Sequence, residues 1–242
     1  MLSVKSFSPD TEVIVTDGQC EITPELETRI QAIWDAEQDR RGDALFNGRM
    51  FSVQTMTAQR IEGFFVDYRL LIAQRLQPDL YDSLGVRPLA VSGLLSCPDG
   101  IVFGCRGAAM TQDANVWELA GSGGVDPSAV TDAGGIDLIA RLYDEIGEEI
   151  GIGKDHLHDP EPFCLIEDPD SHVFEIAIAV TTPLDAAAIT GKFLENRTEE
   201  YATLDIVTVS DIGKFLNIHH GNMSEASLTL LKERGLLEGI GL

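Results

Sequence analysis

The run DLIARLYDEIGEEIGI, residues 137–152, decides how the chain reads. Its apolar positions Leu138, Ile139, Leu142, Ile146 and Ile150 recur at intervals of one, three and four, the spacing of an amphipathic helix with one face in a core. On that helix Glu145 stands four residues before Glu149 and three before Glu148, so three carboxylates are expected to converge on one side. Like charges at this spacing each cost a few tenths of a kcal/mol in an isolated helix. Asp144 and Glu148 add a further acidic pair. Bound Mg²⁺ or Mn²⁺ would remove the cost, since both take oxygen ligands and share them with substrate phosphates and water. On composition alone a solvated acidic helix face is the better explanation of the charges, since Glu is a good helix former and the whole chain is acidic.

Outward from this helix the pattern alternates. Upstream, RPLAVSGLLSC and IVFGCRG are strand-like runs separated by Pro98-Asp99-Gly100, a turn signal, and predict a hairpin. WELAGSGGV then closes on glycines. Downstream come β-rich runs near 161–167 and 172–181, a helix near 184–193, a strand near 203–209, and helices near 210–217 and 223–235. Helices between strands of a mixed sheet predict an α/β/α layered domain over 87–242. The first 86 residues read as a small α+β subdomain. There Thr23-Pro24 opens a helix of about 15 residues, and Asn47-Gly48 turns the chain into β-rich runs at 50–57 and 60–66. A second helical pattern, DYRLLIAQRLQPDL, follows.

The chain carries 40 acidic against 17 basic side chains, a net charge of −23 over 242 residues, which repels nucleic acid and anionic membrane surfaces. A small phosphorylated substrate would be repelled too, unless divalent cations bridge it to the carboxylates. Cys20, Cys97, Cys105 and Cys164 show neither C-x-x-C pairing nor nearby histidines, so neither a zinc site nor a disulfide framework is expected. The start, MLSVKSFSPDTE, has no apolar signal-type run, and no stretch approaches the ~18 apolar residues of a membrane helix. The cytoplasm is the expected setting. Oligomeric state is left open, with a homodimer admitted. His219-His220 reads as a surface pair, and Trp34 and Trp117 as core.

The segment DEIGEEIGI (144–152) resembles the C-terminal half of the Nudix box, G-x5-E-x7-R-E-U-x-E-E-x-G-U, with U a bulky aliphatic residue. Glu145, Ile146, Glu148, Glu149, Gly151 and Ile152 match. Asp144 stands where the box has arginine, and Ile136 where it has the earlier glutamate. Gly124 lies 20 positions before Asp144 rather than 14, which implies an insertion around PSAVTDAGG. The resemblance covers roughly 87–235. Leu45, Phe46, Asn47, Gly48 and Phe51, followed by Asp67-Tyr68, add a resemblance to the UDP-glucose/UDP-galactose diphosphatase branch of the family.

The resemblance implies a Nudix-like α/β/α sandwich and a hydrolase in which a metal-activated water attacks the pyrophosphate of a nucleoside diphosphate conjugate. Glu145, Glu148 and Glu149 would hold Mg²⁺ or Mn²⁺. A general base would come from a box glutamate or from a later loop, where Glu199 and Glu200 are candidates. Arg141, one turn before Glu145, is the candidate to replace the missing arginine by pairing with Glu145. Substrate contacts are expected from the backbone at Gly123 and Gly124, from Arg106, and from Phe46, Asn47, Asp67 and Tyr68. The LFNG run reads equally as an ordinary turn with aromatic core flanks, and Arg106 equally as a strand-edge residue. UDP-sugars, cleaved to UMP and a sugar 1-phosphate, are the expected substrates. The alternatives are a Nudix hydrolase of ADP-ribose or a nicotinamide dinucleotide, and a non-catalytic Nudix-like module that binds a nucleotide.

Overall fold

The structure is a computed structural model that describes residues 2–42, 45–108, 110, 113–196, 198 and 200–238. The chain opens with two four-residue strands, β1 (Ser3–Ser6) and β2 (Glu12–Val15). Helix α1 (Pro24–Arg41) then begins at the expected cap, with Thr23 Oγ1 accepting from the Leu26 N–H at 3.2 Å. It runs 18 residues, longer than expected, because Arg40 and Arg41 both bond the Glu37 carboxylate and hold the last turn together.

Strands β3 (Arg49–Met56) and β4 (Arg60–Asp67) form the expected antiparallel pair, and β4 runs straight into α2 (Tyr68–Leu76) and then the short α3 (Tyr81–Leu84). Strand β2 pairs in parallel with β4, making a three-stranded sheet in the order β2-β4-β3.

The expected hairpin is β5 (Leu89–Cys97) and β6 (Gly100–Arg106), paired next to their turn at Ser96↔Ile101 and Cys97↔Gly100. Further along the two strands take other partners. Strand β7 (Trp117–Leu119) pairs with β6, and β8 (Ser122–Gly124) with β5. The remaining elements are α4 (Leu138–Ile150), β9 (His158–Glu167), β10 (Phe174–Thr181), α5 (Ala186–Asn196), β11 (Tyr201–Val207), α6 (Ile212–Ile218) and α7 (Glu225–Glu233).

The large sheet has the order β1-β9-β10-β5-β6-β11, with β10 and β5 parallel and the other neighbours antiparallel. One face packs Leu89, Val91 and Ile178 against Leu142, Ile146 and Ile150 of α4 and against Ile189 and Phe193 of α5. The other packs Leu94, Phe103 and Ala177 against Ile212 and Phe215 of α6 and against Leu230 and Leu231 of α7. The fold is therefore α/β, a sandwich with a mixed sheet between two helical layers. Strands β1 and β2 had no counterpart in the sequence reading. β1 extends the large sheet through Ser3↔Glu167, and Val13 of β2 joins the core of the α4 face. Among the described residues no helix is long and apolar enough to cross a membrane.

Candidate functional site

Helix α4 is pinned at both ends. Asp137 Oδ1 accepts from the Ala140 N–H at 2.9 Å, and Gly151 closes the helix at φ 82°. Leu142, Ile146 and Ile150 are fully buried, which sets the rotation of the helix and with it the fate of every carboxylate. Arg141, Glu145 and Glu149 form one i, i+4 stripe and all three are buried, Glu149 to 1% exposure. Asp144 and Glu148 lie on the neighbouring stripe and face solvent. The structure thus brings Glu145 and Glu149 together on the buried stripe and leaves Glu148 on the exposed side of the helix, because 100° per residue separates adjacent positions.

The pairing expected of Arg141 is present. Its Nη2 bonds Glu145 Oε1, its Nε donates to the Gly124 carbonyl at 2.9 Å, and Asp126 Oδ2 lies 3.7 Å away. Glu149 Oε2 accepts from the Gly121 N–H at 2.8 Å, and Oε1 from the Ser122 N–H at 3.4 Å. Gly123 sits where an added Cβ would fall inside the Glu145 carboxylate, while Gly124 has open space at that position. Gly123 thus admits a carboxylate of the protein itself.

Burial pushes Glu145 up to about 7, with Glu148 and Glu200 adding to the rise and Arg141 opposing it. Burial also raises Glu149 well above the ordinary carboxylate range, reinforced by Glu200, Glu145 and Glu118 and opposed by the Gly121 amide.

A second charged group stands beside the first. Arg106 Nη1 lies 2.7 Å from Glu118 Oε1 and 3.1 Å from Glu200 Oε1. The Tyr201 hydroxyl donates to Glu118 Oε1 at 3.0 Å, and the Gly107 N–H to the Glu200 carbonyl at 2.7 Å. Burial works against the Arg106 charge, but Glu118 and Glu200 outweigh it and hold the guanidinium protonated. Glu200 is thereby placed close enough to raise both α4 carboxylates. Glu199 lies outside the described residues. Glu118 and Tyr201 were not anticipated, since a single acid in a three-residue strand and a lone tyrosine carry no periodic signal.

Between these groups and α2 opens a cavity of about 360 Å³. Its wall includes Arg106, Gly123, Gly124, Glu200 and Tyr68 from the expected set, and Glu118, Glu175 and Arg75, which were not expected. Phe46, Asn47 and Asp67 are not among its lining residues. Phe46 is 81% exposed, so it is not a core flank, and Asn47 Oδ1 accepts from the Arg69 N–H at 2.9 Å in the first turn of α2. Asp67 stands 3.5 Å from Arg69 Nε. Trp34 is buried, and Trp117 packs edge-on against Phe215 with ring centres 5.2 Å apart.

Glu118, Glu145, Glu149 and Glu200 outnumber their cationic neighbours Arg106 and Arg141, and an all-oxygen donor set with excess negative charge suits a hard divalent cation. Among the described residues no group of three or more His, Cys, Asp or Glu side chains is disposed to hold a metal ion. The chemistry of the donors fits Mg²⁺ or Mn²⁺, while Glu145 is turned to Arg141 and Glu149 to backbone amides.

No protein-family model and no curated protein matches the sequence. Among solved structures the chain is similar to the DR0079 protein from Deinococcus radiodurans at 14% identity and TM-score 0.49, over 77% of this chain and 98% of that one. It is similar to a bifunctional NMN adenylyltransferase/ADP ribose pyrophosphatase from Francisella tularensis at 13% identity and TM-score 0.45. That match covers 72% of this chain and 47% of the other, about half its length. It is also similar to a NUDIX-family hydrolase from Clostridium perfringens at 16% identity and TM-score 0.39, over 63% of this chain and 99% of that one.

Proposed function

We propose that this chain is a divalent-metal-dependent hydrolase of the Nudix type that splits a UDP-sugar into UMP and a sugar 1-phosphate. The observation that carries the reading is the buried stripe Arg141–Glu145–Glu149, set against the glycines of β8 within a segment worded like the second half of the Nudix box. In the reaction a water oxygen bonds to one phosphorus while the bridging P–O bond breaks, its electron pair leaving with the other phosphate. Mg²⁺ or Mn²⁺ would neutralise charge on the diphosphate.

Glu145 and Glu149 would hold the cation, with Glu148 available from the solvent side of the helix. Arg141 orients Glu145, and Glu200, held by Arg106, takes the proton of the attacking water. Gly124, with open space beside it, leaves the backbone accessible to the diphosphate at the cavity wall, while Gly123 makes room for the Glu145 carboxylate. In this scheme residues 87–242 supply the chemistry, and residues 1–86 supply contacts to base and sugar through Tyr68. Four free cysteines support a reducing, cytoplasmic setting.

The engagement of Glu145 by Arg141 and of Glu149 by two amides favours a second reading, a Nudix-like module that binds a nucleotide without cleaving it. One panel separates the readings. The protein is incubated with UDP-glucose, UDP-galactose, ADP-ribose and NADH, with and without Mg²⁺, and products are resolved by chromatography. Metal-dependent UMP release with the highest kcat/KM for a UDP-sugar is expected. Preference for ADP-ribose or NADH would move the assignment to an adenine conjugate, and binding without any product would leave the module.

A further inference from the structure

Of the charged residues lining the cavity, the scheme above leaves Arg75, Asp113, Glu118 and Glu175 unused; Glu118 is paired with Arg106, and Arg75 and Glu175 have no partner of opposite charge among the described residues. Arg75, in the last turn of α2, lines it, and its Nε is buried without a hydrogen-bond partner. Among the described residues Arg75 makes no ion pair, in a chain with 40 acidic side chains against 17 basic. Arg69, Arg106 and Arg141 each have a carboxylate partner. Position at the end of α2 gives Arg75 a favourable helix dipole but no reason to face a cavity.

The second group is Glu175 on β10. Its Oε2 accepts from the Ser92 hydroxyl at 2.6 Å, and among the described residues it has no cationic partner. Both residues line the same space of about 360 Å³, beside the apolar side chains of Met50 and Leu71. A carboxylate accepts only, and a guanidinium donates only. Facing one space, they match groups that both donate and accept. Phosphate oxygens only accept, and Glu175 would repel them. Sugar hydroxyls do both, and one carboxylate can take two neighbouring hydroxyls.

We infer that Arg75 and Glu175 form the subsite for a hydroxyl-rich glycosyl group, the half of the conjugate that lies beyond the diphosphate. Glu175 accepts from neighbouring sugar hydroxyls, and Arg75 donates to a hydroxyl or ring oxygen. Ser92 holds Glu175 in place. The inference rests on the hydrolase reading only in taking the ligand to be a nucleoside diphosphate conjugate.

The test compares UDP-glucose with the methyl ester of UDP, which keeps the base and the diphosphate and lacks the sugar hydroxyls. Both kcat/KM and, by calorimetry in the presence of Mg²⁺, Kd are measured for wild type and for the variants Glu175→Gln and Arg75→Gln, each of which removes the charge. Thermal melts check that each variant folds. Wild type should favour UDP-glucose by roughly tenfold or more, and each variant should shrink that ratio by roughly tenfold, the worth of one charge-assisted hydrogen bond. A wild-type ratio near one, a ratio that neither variant moves, or no binding of either compound overturns the subsite. If no compound is hydrolysed but the Kd ratio behaves as expected, the hydrolase reading falls and the subsite stands. Hydrolysis without sugar preference gives the reverse.

Discussion

Gly123 and Glu145 occupy mutually exclusive space: a side chain of even one carbon at position 123 would fall inside the Glu145 carboxylate. The neighbouring Gly124 has nothing within 4 Å of the same added atom. Gly123→Ala should therefore cost about 1–3 kcal/mol of stability through overpacking and lower activity at least tenfold by moving Glu145. Gly124→Ala should change stability far less. Urea denaturation of both variants reads the difference, and equal effects would show that the close approach does not constrain Glu145.

Arg141 compensates the Glu145 charge in a place that little water reaches. Arg141→Ala leaves that carboxyl buried without its partner; already raised to about 7, it takes up a proton rather than staying charged, so the expected loss is that of the hydrogen bonds, about 1–3 kcal/mol. The expected outcome is a drop in denaturation midpoint together with a fall in kcat/KM for UDP-glucose. Wild-type stability and turnover in this variant would remove Arg141 from the site.

Cation binding is expected to be visible without any reaction. Millimolar Mg²⁺ or Mn²⁺ should raise Tm by about 3 °C by binding the folded chain in preference to the unfolded one. Glu149→Gln should abolish the rise. If neither metal moves Tm, with or without UMP, the acidic stripe is not a metal site.

Asn47 is expected to act through the backbone of α2. Asn47→Ala removes the acceptor from the Arg69 N–H and should cost about 1 kcal/mol, read as a lower urea midpoint. A raised KM for UDP-glucose with the midpoint intact would instead return Asn47 to the substrate.

Cys164 is buried, and burial pushes its thiol up to about 12. At pH 8 the thiolate fraction is then on the order of one in ten thousand. Native protein treated with iodoacetamide should stay unmodified at Cys164, as mass spectrometry of its peptides would read. Rapid labelling there would show that this side of the sheet opens.

The sequence by itself determined what neighbours along the chain decide. The cap at Thr23, the turn at Pro98-Asp99-Gly100, the amphipathic α4 and the i, i+4 pair Arg141–Glu145 all follow from contacts within a few residues, and all are present. Spacing could not rank the α4 glutamates, because their directions depend on how the apolar face docks. Only the fold sends Glu149 inward and Glu148 out. Only the fold brings the Gly121 amide to Glu149 across 28 residues and Ser92 to Glu175 across 83. Strands of three or four residues, such as β1, β2, β7 and β8, are too short to show a period, and their existence depends on the neighbour they pair with. The cavity joins α2 to β10 in the same way: hydrophobic burial set the distance between those elements, and no local pattern in either one encodes the other.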